Sequence, residues 1–179
     1  MTELTGKITP EQALAVVERL CARGGDIRDA VVAEATSLLT EFSLEDTADE
    51  VFDALDLIDI QDCRDLARLP APDDGPTSVE EAAGDIIEED LQPFFDQVER
   101  YHDLGMPAEE ARYCQGVVLG IYRFGEESEA EIKDLVGDLP LDCADDLLNA
   151  WRRRNPDKAA IVQMEAFLTE RCPKLAGRG

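Results

Sequence analysis

The chain has 179 residues, 44% of them hydrophobic, and a formal net charge of −24. That is the size of one ordinary domain, with enough apolar material for a core. Charge of this sign and size argues against binding nucleic-acid backbones or adsorbing to anionic membranes, and favours solubility, basic partners or metal cations.

The elements can be read in chain order. Thr9-Pro10-Glu11-Gln12 is a helix start, with an N-cap, proline at the first position and Gln at the third. Ala13, Val16, Val17, Leu20 and Cys21 then follow at helical spacing, and Gly24-Gly25 ends the helix. Asp26 is read as the cap of a second helix carrying Ile27, Ala30, Val31 and Leu38, and Ser43 opens a third. Within the third, Phe52, Leu55, Ile58 and Ile60 predict a break near residues 58–60 and a short helix to Leu69.

Residues 70–76, PAPDDGP, exclude helix and read as a linker between helical halves 8–69 and 77–172 of a single domain. Thr77 or Ser78, with Glu80 and Glu81, caps a long helix whose apolar stripe runs from Val79 to Tyr101. Pro93 interrupts its hydrogen-bond ladder while the stripe continues, which predicts one helix kinked near residues 89–93.

Residues 107–124, PAEEARYCQGVVLGIYRF, are the centre of the pattern. From Tyr113 to Tyr122 only Gln115 is strongly polar, so the helix must be enclosed on nearly every side. The uncharged run is far shorter than the roughly 20 residues a membrane span needs. Gly116 and Gly120, four apart, leave two gaps on one face where a neighbouring backbone can come close. Ser128 with Glu131 marks a short helix ending by Gly137, and Pro140 starts another that carries Leu147, Leu148 and Trp151. Asn155-Pro156 ends that one, and Ala160, Ile161, Met164, Phe167 and Leu168 stripe the last.

The charge is unevenly distributed along these elements. Residues 151–179 carry seven basic against three acidic side chains, whereas residues 1–150 carry ten against thirty-eight. The basic C-terminal stretch is expected either to lie across the acidic body or to meet an acidic partner. The five cysteines form no CxxC pair, and MTELTG has neither the basic nor the apolar region of a secretory signal. A reduced, cytoplasmic protein is the natural expectation.

Chemistry-bearing motifs are few. No GxGxxG, GxxxxGK[ST], HExxH or GxSxG occurs, and His102 is the only histidine. No catalytic residue, metal ligand or cofactor is therefore assigned. Asp53, Asp56, Asp59 and Asp62 stand three apart, but steps of about 300° spread four carboxylates over half a helix circumference. They read as a solvated face or a surface for a partner. Arg152 and Arg153 follow Trp151 in the last turn of a helix, where cations answer the dipole, and Trp and Arg also favour partner contacts.

The stretches ITPEQALAVVERLCARGGDIRDAVVAEA, DEVFDALDLID and LQPFFDQVERYHDLGMPAEEARYCQGVVLGIYRF, within residues 8–124, resemble the α-helical region that follows the zinc finger in some prokaryotic SWIM zinc-finger proteins. The resemblance implies a helical repeat region of tetratricopeptide or HEAT type serving as an interaction surface. The finger's own CxC and CxH ligands are missing here, so zinc and nucleic-acid binding do not carry over.

The expectation is an all-α protein of about eight helices in antiparallel hairpins, forming a superhelix or an irregular bundle. Its expected function is that of a non-enzymatic interaction module offering an acidic surface to a basic protein, as monomer or homodimer. The alternative is a small-molecule or divalent-cation-binding regulator, using Asp53–Asp62 or a groove beside Pro93.

Overall fold

The protein is all-α. A computed structural model describes residues 9–68 and 78–177, and among these it contains nine helices and no strand. The expected linker at 70–76 lies outside the described residues. Two compact units emerge, Met1–Phe42 and Ser43–Gly179. The division thus falls ahead of Ser43, not at the prolines. Helices from both sides of the proline-rich stretch pack together in the second unit.

The first unit holds α1 (Pro10–Ala22) and α2 (Asp26–Thr40), packed on each other. The Thr9 capping box forms in full: Gln12 N donates to Thr9 Oγ1 at 3.3 Å, and Thr9 N donates to Gln12 Oε1 at 3.0 Å. Gly24 and Gly25 turn the chain with φ of 70° and 62°. Gly25, not Asp26, is the N-cap of α2, because the left-handed turn carries the chain directly into the helix and leaves Asp26 as its first residue.

The second unit is built around α6 (Pro107–Glu127). Cys114, Val117, Val118, Ile121 and Phe124 are wholly buried, as the unbroken apolar run requires. The enclosing helices are α3 (Leu44–Asp56), α5 (Val79–Asp103), α8 (Leu139–Arg154) and α9 (Lys158–Arg171), each in contact with α6. α3 packs on it most extensively. The glycines explain why. A Cβ added at Gly116 would stand 2.7 Å from Thr47 Cβ, and one at Gly120 would stand 2.5 Å from the Ala48 carbonyl and 2.6 Å from Val51 Cβ. The two gaps are filled by α3, through the Leu44 and Ala48 carbonyls and the side chains of Thr47 and Val51.

The shorter elements fit around this centre. α4 (Ile60–Leu66) starts after the expected break, with Asp59 capping Gln61 N at 2.8 Å. Ser78 caps α5 through Glu81 N, and the helix continues through Pro93, which lies on its exposed side. There the unmatched Glu89 carbonyl can turn to water instead of being stranded in the core. α6 runs through Gly125 to Glu127, and α7 (Glu131–Val136) begins after Ala130, not Ser128. Ser128 instead ends α6; its hydroxyl accepts from Ala130 N at 3.0 Å and donates to Asp56. Trp151 is fully buried on α8. α9 starts past Pro156, capped by Asp157.

The basic C-terminal residues answer carboxylates within this unit. Arg171 bonds Glu45 at 3.0 Å, Arg152 bonds Glu165 at 2.7 Å, and Lys174 pairs with Glu126. No helix among the described residues is long and apolar enough to cross a membrane.

Candidate functional site: an acidic groove between α5 and α8

Two helix faces meet along a groove in the second unit. α5 supplies Glu88, Gln92, Phe95, Asp96 and Glu99, spaced so that all fall on one side of the helix. α8 supplies Cys143, Asp146, Leu147, Ala150 and Arg154 at matching helical spacing. Two depressions of about 210 and 220 Å³ share Gln92, Phe95 and Asp146 and so form one continuous trough.

The floor is apolar and the rim is anionic. Phe95 is half-buried and Leu147 buried, whereas Glu88, Asp96, Glu99 and Asp146 are exposed. Gln92 Nε2 donates to Asp96 Oδ1 at 2.6 Å, which holds that carboxylate beside the floor. The local potential registers on Cys143, whose thiol is pushed up to about 11. Burial is the main cause, followed by the charges of Glu88, Asp146 and Asp142. Among the described residues, Arg154 is the only basic one lining either depression.

Arg154 also lines a third cavity, of about 300 Å³, with His102, Met106, Glu110, Asn155 and Pro156. Glu110 is a buried carboxylate, its side chain only 3% exposed. His102 Nδ1 lies 3.3 Å from Glu110 Oε2, which accepts if that nitrogen carries the proton. Arg154 Nη2 lies 3.7 Å from Oε1, and its Nη1 3.6 Å from Glu99. Oε1 itself and Arg154 Nε are both buried without a hydrogen bond. Arg154 is thereby held between the buried carboxylate and the groove's rim.

The residues singled out in the sequence fall elsewhere. Asp53 is exposed on α3, Asp56 accepts from the Ser128 hydroxyl, and Asp59 caps α4. Asp62 lines a separate, mostly apolar depression with Ala54, Leu57, Ile58, Ile86 and Asp90. Among the described residues no group of three or more His, Cys, Asp or Glu side chains is arranged to hold a metal ion. Trp151 cannot offer a surface contact, since its ring is enclosed in the core. Arg152 is committed to Glu165 and to Asn149 at 3.1 Å, and Arg153 is exposed.

The sequence reading offered a groove beside Pro93 for a small molecule or cation but named neither its acidic rim nor α8 as its other wall, because acidic residues on an exposed helix face look the same whether or not another helix stands opposite. The available signal was the repeat of acids at 88, 96 and 99 flanking Phe95 beside Pro93. Compared with models of protein families, with curated proteins and with solved structures, the chain matches none.

Proposed function

We propose that the protein is a non-enzymatic interaction module that takes a basic segment of another protein into the α5–α8 groove. The observation that carries this reading is the combination of four rim carboxylates with the apolar floor of Phe95 and Leu147. A segment with Lys or Arg on both sides of one apolar anchor meets both requirements: the anchor covers the floor and the cations answer the rim. Arg154, at one end, disfavours extension of a cationic ligand past Glu99 and so sets a direction. The helical region of SWIM zinc-finger proteins, which residues 8–124 resemble, would also serve as an interaction surface, and α5 lies within that stretch.

The test is titration of a Lys/Arg-rich peptide carrying one Leu or Phe against the full chain, by calorimetry across a salt series. Binding that weakens steeply with salt is expected. Asp96→Lys with Asp146→Lys is expected to lower affinity at least about tenfold, on the order of 1.4 kcal/mol. Glu170→Lys, on exposed α9 surface away from the groove, is expected to change little. A loss from Glu170→Lys about half that of the double variant, which reverses twice as many charges, would mean that only net charge matters and would sink the groove.

A further inference from the structure

The cavity between the start of α6 and the end of α8 contains hydrogen-bonding atoms that the fold leaves unanswered. Glu110 is enclosed, its side chain 3% exposed. Its Oε2 faces His102 Nδ1, but Oε1 meets no hydrogen-bond donor among the described residues. Arg154 Nε is likewise buried without an acceptor among them. The Arg154 guanidinium stands 3.7 Å from Oε1 and 3.6 Å from Glu99, both longer than a hydrogen bond. It is suspended between two carboxylates and bonded to neither. Buried charges are normally completed by hydrogen bonds, and an incomplete pair is costly to the fold.

The two unmet atoms are complementary. Oε1 asks for a donor and Nε for an acceptor, and both residues line one cavity of about 300 Å³. That volume lies at the lower end of small-ligand sites, which span roughly 300–1,000 Å³. A simple cation there is opposed by Arg154 and a simple anion by Glu110, whereas a zwitterion is attracted by both. Met106, Pro107 and Pro156 give the same cavity an apolar wall.

We propose that this cavity binds a free α-amino acid with an apolar side chain. Its ammonium bonds Glu110 Oε1, its carboxylate bonds the Arg154 guanidinium, and its side chain lies along Met106, Pro107 and Pro156. Oε1 is shielded from water until Arg154 closes on Glu99, so the ligand enters as the guanidinium shifts. The proposal does not depend on what the α5–α8 groove takes.

The experiment is thermal melting and calorimetric titration of the full chain with free L-leucine, L-methionine and L-valine. L-leucinamide and N-acetyl-L-leucine, each lacking one of the two charges, are the counterparts. At least one free amino acid is expected to raise the melting temperature at millimolar concentration. Both blocked forms are expected to bind at least about tenfold more weakly than L-leucine. Glu110→Gln keeps the shape and removes the charge; it is expected to abolish the shift while buried Trp151 keeps its blue-shifted emission. Glu170→Gln, exposed on α9, is expected to keep the shift. Should Glu110→Gln fail to fold, the blocked forms decide the matter on the wild-type chain. No binding of any of the three amino acids would overturn the proposal, leaving Glu110 and Arg154 as a structural ion pair only. Equal binding of a blocked form would overturn it too, as would undiminished binding to folded Glu110→Gln.

Discussion

Glu110 shows how one side chain can be costly to leave alone. Its carboxylate is enclosed and leans on His102 and Arg154, while Arg154 is also within reach of Glu99, a residue open to water. Removing Arg154 strands a buried charge; removing Glu99 frees a cation that solvent and Glu110 still satisfy. Arg154→Ala is therefore expected to cost about 2 kcal/mol or more in urea unfolding. Glu99→Ala is expected to stay within about 0.5 kcal/mol, as exposed ion pairs do. Equal effects would mean that Arg154 does not hold Glu110 in the folded protein. Neither the burial of Glu110 nor its meeting with Arg154, 44 positions later in the chain, can be read from sequence. Glu110 looks like an ordinary acid in the first turn of α6.

At the scale of helices, the contact of α3 with α6 is the tightest joint the glycines reveal. Gly120→Ala gains helix propensity worth about 1 kcal/mol. It also drives a methyl into the Ala48 carbonyl and Val51, neither of which can swing away. A net loss of about 1–3 kcal/mol is expected from denaturant midpoints. Gly84→Ala, inside α5, is the contrast: its Cβ would meet only the Leu139 Cδ2 methyl, at 3.3 Å. Because that side chain can give, the propensity gain should survive, and the variant is expected to be neutral or more stable. The glycine spacing announced a close approach; which helix makes it was decided by packing.

For the whole molecule, buried acids that titrate above neutrality set the alkaline limit. Cys114 is pushed up to about 12 from an ordinary 9.0 by burial first, with Glu110 adding and Arg154 and Arg152 opposing. Cys172 is likewise pushed up to about 12 by burial, against Arg171. Tyr113 rises to about 12 from 10.0, again by burial first and then by Glu50 and Tyr101. Each proton is held more tightly in the folded chain than in the unfolded one. The associated stability is complete below the unfolded values, and is lost as pH climbs from 9.0 towards 12. Melting temperature is expected to fall across that window, and Cys114→Ala to make the fall shallower. An identical slope in the variant would remove Cys114 as a cause. The same burial should keep these two thiols from reacting with a thiol reagent until the chain unfolds.

By itself the sequence determined the all-α class, the helix starts at Thr9 and Ser43, a start at Thr77 or Ser78, the break after α3, and the enclosure of α6. These follow from apolar periodicity and capping chemistry, which act over one or two turns and so are written locally. Tertiary structure decided what depends on residues far apart in the chain: α3 over the glycines, the acidic rim of α5 set against α8, and Trp151 placed inside instead of at a surface. It also placed the division of the chain ahead of Ser43. A helix period says which side of a helix is apolar, but not which partner covers it. For α6 the partners are α3, α5, α8 and α9 of the same unit.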